Sequence, residues 1–95
     1  MNGESLSLRL RIHGRVQGVS YRAWAVRQAR QLGLVGWVRN RTDGSVEAVV
    51  SGPASAVREM VGRCRRGPPA AIVRSVEESA EAGPVEAGFH QVATL

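Results

Sequence analysis

Arg22 is the residue whose position most clearly invites chemistry. It follows the loop Gly14-Arg15-Val16-Gln17-Gly18-Val19-Ser20, which carries two glycines and no acid. Seven residues exceed the roughly 2–6 typical of a strand–helix connection, and a predicted helix begins at Tyr21. A helix N-terminus has amides without partners and the positive end of the dipole, so it attracts anions. Successive loop amides can add a nest to that end. A cation in the first turn is disfavoured by about 0.3–1 kcal/mol. Arg22 makes better sense if it and the helix end share an anion. Its guanidinium is a planar fork that matches two phosphate oxygens. The plainer alternative is an ordinary connection with a solvated arginine, its glycines only permitting positive φ. No Gly-Lys-Ser/Thr follows, so this is not a Walker loop.

The rest of the chain must hold that loop. Leu6, Leu8, Leu10 and Ile12 alternate with Ser7, Arg9, Arg11 and His13, the period of a strand with one buried face. Tyr21, Ala25, Ala29 and Leu32 share a face of a helix predicted over 21–32, with Arg27 and Arg30 pointing away. Gly33 ends it. A second strand is predicted over 35–41, a hairpin turn at Asp43-Gly44 and a third strand over 45–51, with Val46, Ala48 and Val50 on one face. Gly52-Pro53 opens a second helix. Val57, Met60, Val61 and Cys64 form its apolar stripe, and Gly67-Pro68-Pro69 ends it. A fourth strand is predicted over 71–79, where the apolar phase shifts between Val73 and Val76, a hint of a bulge. A polar loop over 81–88 leads to a short strand over 89–92. This order predicts a ferredoxin-like βαββαβ sandwich, an antiparallel sheet with two helices on one face. The fold by itself selects no function.

Composition narrows the partners. The 95 residues fit one domain, 1–95, with 1–5 expected as a flexible N-terminus. All thirteen basic residues are arginine, against eight acids, for a net charge of +5. Residues 1–41 hold eight arginines against Glu4 alone, a net of +7; residues 42–95 hold five against seven acids, a net of −2. A basic half suggests an anionic partner: nucleic acid, a membrane surface or a small phosphorylated molecule. No run approaches the roughly 18 apolar residues of a membrane span, and no secretion signal precedes the first strand. Cys64 is the single cysteine, which excludes an internal disulfide and a four-cysteine zinc site. A lone thiol without a signal suits the cytoplasm. His13 and His90 stand singly, no metal-spaced cluster is evident, and neither metal nor cofactor is expected.

Two stretches carry a family resemblance. Gly14-Arg15-Val16-Gln17-Gly18-Val19-Ser20-Tyr21-Arg22 resembles the first signature of the acylphosphatases. Gly36-Trp37-Val38-Arg39-Asn40, followed by Gly44-Ser45-Val46 and Gly52, resembles the second. Length and element order agree with that family, whose fold is the sandwich already expected. The resemblance implies that Arg22 binds the phosphate, that Asn40 positions the attacking water, and that the main-chain amides of Arg15, Val16, Gln17, Gly18 and Val19 surround the phosphate. From position alone, Asn40 is a strand-end residue beside a turn, where asparagine is common.

The activity so implied is hydrolysis of an acyl phosphate, without metal, to a carboxylate and inorganic phosphate. A carboxylate leaves as a stable anion, its conjugate acid having a pKa of roughly 4, so no general acid is needed. The remaining tasks are to hold phosphoryl charge, orient it and place a water in line. The expected partners are a small acyl phosphate and inorganic phosphate, with no specific nucleic acid and no membrane; a monomer is expected. Arg9, Arg11, Arg27, Arg30, Arg39 and Arg41 are expected as a solvated basic face, with Arg39 and Arg41 opposite Asn40 by strand alternation. Trp37 is expected to pack, and Trp24 to lie at the core edge or the substrate mouth. The tail Phe89-His90-Gln91-Val92-Ala93-Thr94-Leu95 matches the family poorly. The rival readings are an RNA-binding module, a phosphate-binding domain without turnover and a regulatory small-molecule module. No aromatic pair on the first and third strands supports the RNA module.

Overall fold

The computed structural model describes residues 3–95. Met1 and Asn2, two of the residues expected as a flexible N-terminus, lie outside the described residues. The elements are β1 (Ser5–Arg15), α1 (Tyr21–Gln31), β2 (Val35–Asn40), β3 (Val46–Pro53), α2 (Ala54–Arg66), β4 (Ile72–Ala80) and β5 (Phe89–Gln91). They form one five-stranded sheet in the order β4-β1-β3-β2-β5. Leu10, Ile12, Val38, Val46, Ala48 and Val50 face the helices and join Tyr21, Ala25, Ala29, Val57, Met60 and Cys64 in one core. The period-two and helical patterns of the sequence therefore converge on a single apolar layer.

The sheet is not wholly antiparallel. β1 pairs antiparallel with β3 and β4, and β2 with β3, but β5 runs parallel to β2. The reason is topological. β4 lies at one edge, and the loop over 81–88 carries the chain to the opposite edge, outside β2. The chain crosses at the end where β4 finishes and β2 begins, so it enters β5 in the direction of β2. Gly36 meets Phe89 there, and Phe89 is buried in the core.

The bulge occurs where the apolar phase shifts. His13 pairs with Ser75 but Gly14 pairs with Val73, leaving Arg74 as the extra residue. β1 thus continues through Gly14 and Arg15, two residues beyond the expected strand. Gly14 has φ +133°, and a Cβ there would sit 2.1 Å from the Ile72 carbonyl oxygen. Only glycine fits, and the loop that follows departs from a fixed point.

The arginines of the helix-free face are not a solvated basic face. Glu47, on central strand β3, is buried and accepts hydrogen bonds from Arg9, Arg39 and Arg41. Arg9 also binds Glu81, and Arg11 binds Ser45 and Asp43. Trp37 lies between Arg9 and Arg39, whose guanidinium carbons stand 5.5 and 4.7 Å from its ring centroid. Trp37 therefore packs, as expected, but against cations rather than in the apolar core. Burial would raise the Glu47 pKa, yet the hydrogen bonds from Arg39, Arg41 and Arg9 lower it to about 2. Strand period tells which face a side chain takes; it does not tell which charges meet there.

Candidate active site

The loop after β1 and the first turn of α1 form one wall of a cleft of about 340 Å³. Val16, Gln17, Gly18, Ser20, Tyr21, Arg22, Ala23, Asn40 and Gln91 line it. Val16 is buried and pins the loop to the core. Gly18 and Ser20 both take positive φ, +74° and +64°. Ser20 is the N-cap of α1, yet its hydroxyl makes no capping bond. An N-cap serine would usually accept from the amides of the first turn; the left-handed backbone leaves those amides open. Every main-chain amide from Val16 to Ala23 lacks a hydrogen-bond acceptor among the described residues, and the first to find one is Trp24, which donates to the Ser20 carbonyl at 3.1 Å. A row of unpaired amides at the positive end of a helix is suited to receive an anion.

Arg22 lines the same cleft, half-buried, and among the described residues its guanidinium makes no ion pair or hydrogen bond. Its neighbour Tyr21 is buried, packs against Trp24 at a centroid distance of 5.2 Å, and fixes the start of the helix. Trp24 thus sits at the core edge, outside the cleft lining.

Asn40 is the last residue of β2. Alternation along Gly36, Val38 and Asn40 turns it toward the helix side, while Arg39 and Arg41 reach the Glu47 cluster on the other face. Asn40 Oδ1 is buried and has no hydrogen-bond partner among the described residues. An unpaired buried acceptor costs about 1–3 kcal/mol.

Of the expected site residues, the cleft brings together Arg22, Asn40, Val16, Gln17 and Gly18. Arg15 and Val19 are not on its wall: Arg15 is the exposed last residue of β1, opposite Ile72, and Val19 packs against the core. Sequence reasoning missed four lining residues, one of them Tyr21, which was expected only to pack under the loop. Ser20 and Ala23 follow directly from the loop and helix start. Gln91 arrives only because β5 pairs beside β2, which no local pattern reveals. Cys64 does not line this cleft; burial raises its pKa to about 11, so it remains a neutral core thiol.

The acylphosphatase family profile matches residues 8–91. This chain belongs to the acylphosphatase family. It is 53% identical over 92 residues to an acylphosphatase of Rhizorhabdus wittichii, covering 97% of this chain and 93% of that one. Among solved structures, it is similar to an acylphosphatase from Coxiella burnetii with a TM-score of 0.88 at 28% identity, covering 93% of both chains. It is also similar to an acylphosphatase from Bacillus subtilis with a TM-score of 0.81 at 37% identity, covering 92% of this chain and 98% of that one. The membership covers the loop, both helices and the strand that ends at Asn40. Within the described residues, no helix is long and apolar enough to cross a membrane.

Proposed function

We propose that this acylphosphatase-family hydrolase splits acyl phosphates with Arg22, the loop amides and Asn40 as its whole machinery. The phosphoryl group is held by the amides of the Val16–Gly18 stretch and the first turn of α1. Arg22 closes on it with a two-pronged guanidinium contact. Asn40 Oδ1 accepts a hydrogen bond from the attacking water and so aims the water's lone pair at phosphorus. Water adds to phosphorus as the bond to the acyl oxygen breaks. The carboxylate leaves with the bonding pair, and a phosphate oxygen takes the water's proton. The transferring phosphoryl spreads its charge over three oxygens, which fixed amides and one guanidinium are suited to hold. Neither a metal nor a cofactor has a part in these steps. A monomer is favoured because one chain builds the entire cleft. The unreactive free thiol of Cys64 suits a cytoplasmic setting.

One observation carries this reading: Asn40, whose buried Oδ1 has no partner among the described residues, lines the same cleft as Arg22, whose guanidinium has none either. The test is hydrolysis of benzoyl phosphate in the presence of a chelator. Wild type should turn over and Arg22→Ala should be nearly inactive. Asn40→Ala should lose turnover while inorganic phosphate still inhibits it. Wild-type turnover in Arg22→Ala, or loss of activity on chelation, would overturn the assignment.

A further inference from the structure

Gln17 does more than offer an amide to the cleft. Its side-chain Nε2 donates to the Arg41 carbonyl at 2.8 Å and to the Ser45 carbonyl at 2.9 Å. Both carboxamide protons are thereby used. These two carbonyls close the turn that follows Asn40: Ser45 O also accepts from Arg41 N at 2.8 Å, and Arg41 O from Gly44 N at 3.1 Å. The turn is stiff on its own account. Asp43 Oδ1 accepts from the Ser45 amide and hydroxyl, and Arg11 Nε donates to Ser45 Oγ.

The loop over 16–20 is the opposite case. Its main-chain amides make no hydrogen bonds among the described residues. Burial of Val16 fixes one point of it, and the Gln17 side chain ties it across to the rigid turn. The receptor for the anion and the residue that aims the water sit on two elements far apart in sequence. Their spacing depends on what joins them.

We propose that Gln17 is a positioning residue that acts through Asn40: its carboxamide locks the anion-binding loop to the turn after β2 and so sets the water-orienting Oδ1 in register with the bound phosphoryl group. The inference rests on the reading of Asn40 given above. Phosphate binding needs only the amides and Arg22, which Val16 and Val19, packed against the core, and the start of α1 still hold after loss of the Gln17 side chain. In-line attack needs the register as well, and a displacement of about 1 Å can cost on the order of 10²-fold in rate.

Gln17→Met keeps the length of the side chain and removes both donors. Gln17→Asn keeps the donors but is one methylene too short to reach. Both are assayed after thermal melting has established that they are folded at the assay temperature. kcat for benzoyl phosphate should fall about 10–100-fold in the Met variant, and similarly in the Asn variant, whose donors do not reach the turn. The inhibition constant for inorganic phosphate should stay within about 3-fold of wild type, since the binding groups are untouched. In the Asn40→Ala background, Gln17→Met should cause little further loss, because residues acting as a unit are non-additive. Unchanged kcat in folded Gln17→Met, equal loss of kcat and phosphate affinity, or full additivity with Asn40→Ala would each overturn the proposal. Wild-type turnover in Asn40→Ala alone is a separate result and would overturn the reading of Asn40 itself.

Discussion

The Tyr21 hydroxyl donates to the main-chain carbonyl of Cys64 at 2.8 Å, and it supplies a partner that the sequence has removed. In a continuing helix the Cys64 carbonyl would accept from the amide of residue 68. Residue 68 is proline and has no N–H. The first residue of α1 thus satisfies the last turn of α2, and the two helix ends meet beside the anion loop.

Tyr21→Phe should therefore lower stability by about 1–3 kcal/mol, the cost of an unpaired buried carbonyl together with the lost bond. Denaturant unfolding measures it. A change below about 0.5 kcal/mol would show that solvent or another donor reaches Cys64 O.

The acid limb of stability should belong largely to Glu47. Its folded-state pKa of about 2 lies below the ordinary 4.5. Its contribution is therefore complete above about pH 4.5 and lost as pH falls toward 2. At pH 7, Glu47→Gln should be less stable on the order of 3 kcal/mol, since three guanidinium groups lose their shared carboxylate. The gap between wild type and variant should close between about pH 5 and pH 2. Thermal melts across that range test it, and a constant gap would assign the acid sensitivity elsewhere.

Much of this was legible from the residues. The alternation of Leu6 to Ile12 placed β1, and the shift between Val73 and Val76 marked the bulge that forms opposite Gly14. The two signatures brought Arg22 and Asn40 forward before any fold was known, and both line one cleft. The direction of β5 was not legible, because a three-residue strand carries no pattern that tells parallel from antiparallel pairing and the path of the 81–88 loop decides it. The pairing of Arg9, Arg39 and Arg41 around Glu47 was also hidden, since it joins three strands through long flexible side chains. Gln17 could be read as a loop residue, but its reach to Arg41 and Ser45 depends on how the loop folds over the turn.

Gly62 lies within α2, and a Cβ at that position would meet no atom within 4 Å. Nothing in the packing requires glycine, and its backbone is helical. Gly62→Ala should raise stability by about 0.5–1 kcal/mol through helix propensity and a less free unfolded chain. An unchanged or lowered unfolding midpoint would mean that a cost in the folded state offsets the gain in helix propensity.

Arg22→Lys separates charge from geometry at the centre of the proposed mechanism. The folded protein gives the Arg22 guanidinium no partner among the described residues, so neither lysine nor alanine there should change stability by more than about 0.5 kcal/mol. Lysine retains the positive charge but offers a point donor in place of a planar fork. If the fork grips two phosphoryl oxygens as charge builds on them, kcat for benzoyl phosphate should fall at least about 10-fold in Arg22→Lys, one missing charge-assisted bond being worth about 1.5–3 kcal/mol. Inhibition by inorganic phosphate should weaken less in Arg22→Lys than in Arg22→Ala, since charge alone retains part of the attraction. Turnover in Arg22→Lys equal to wild type would mean that Arg22 supplies only charge, and that the loop amides alone orient the phosphoryl group.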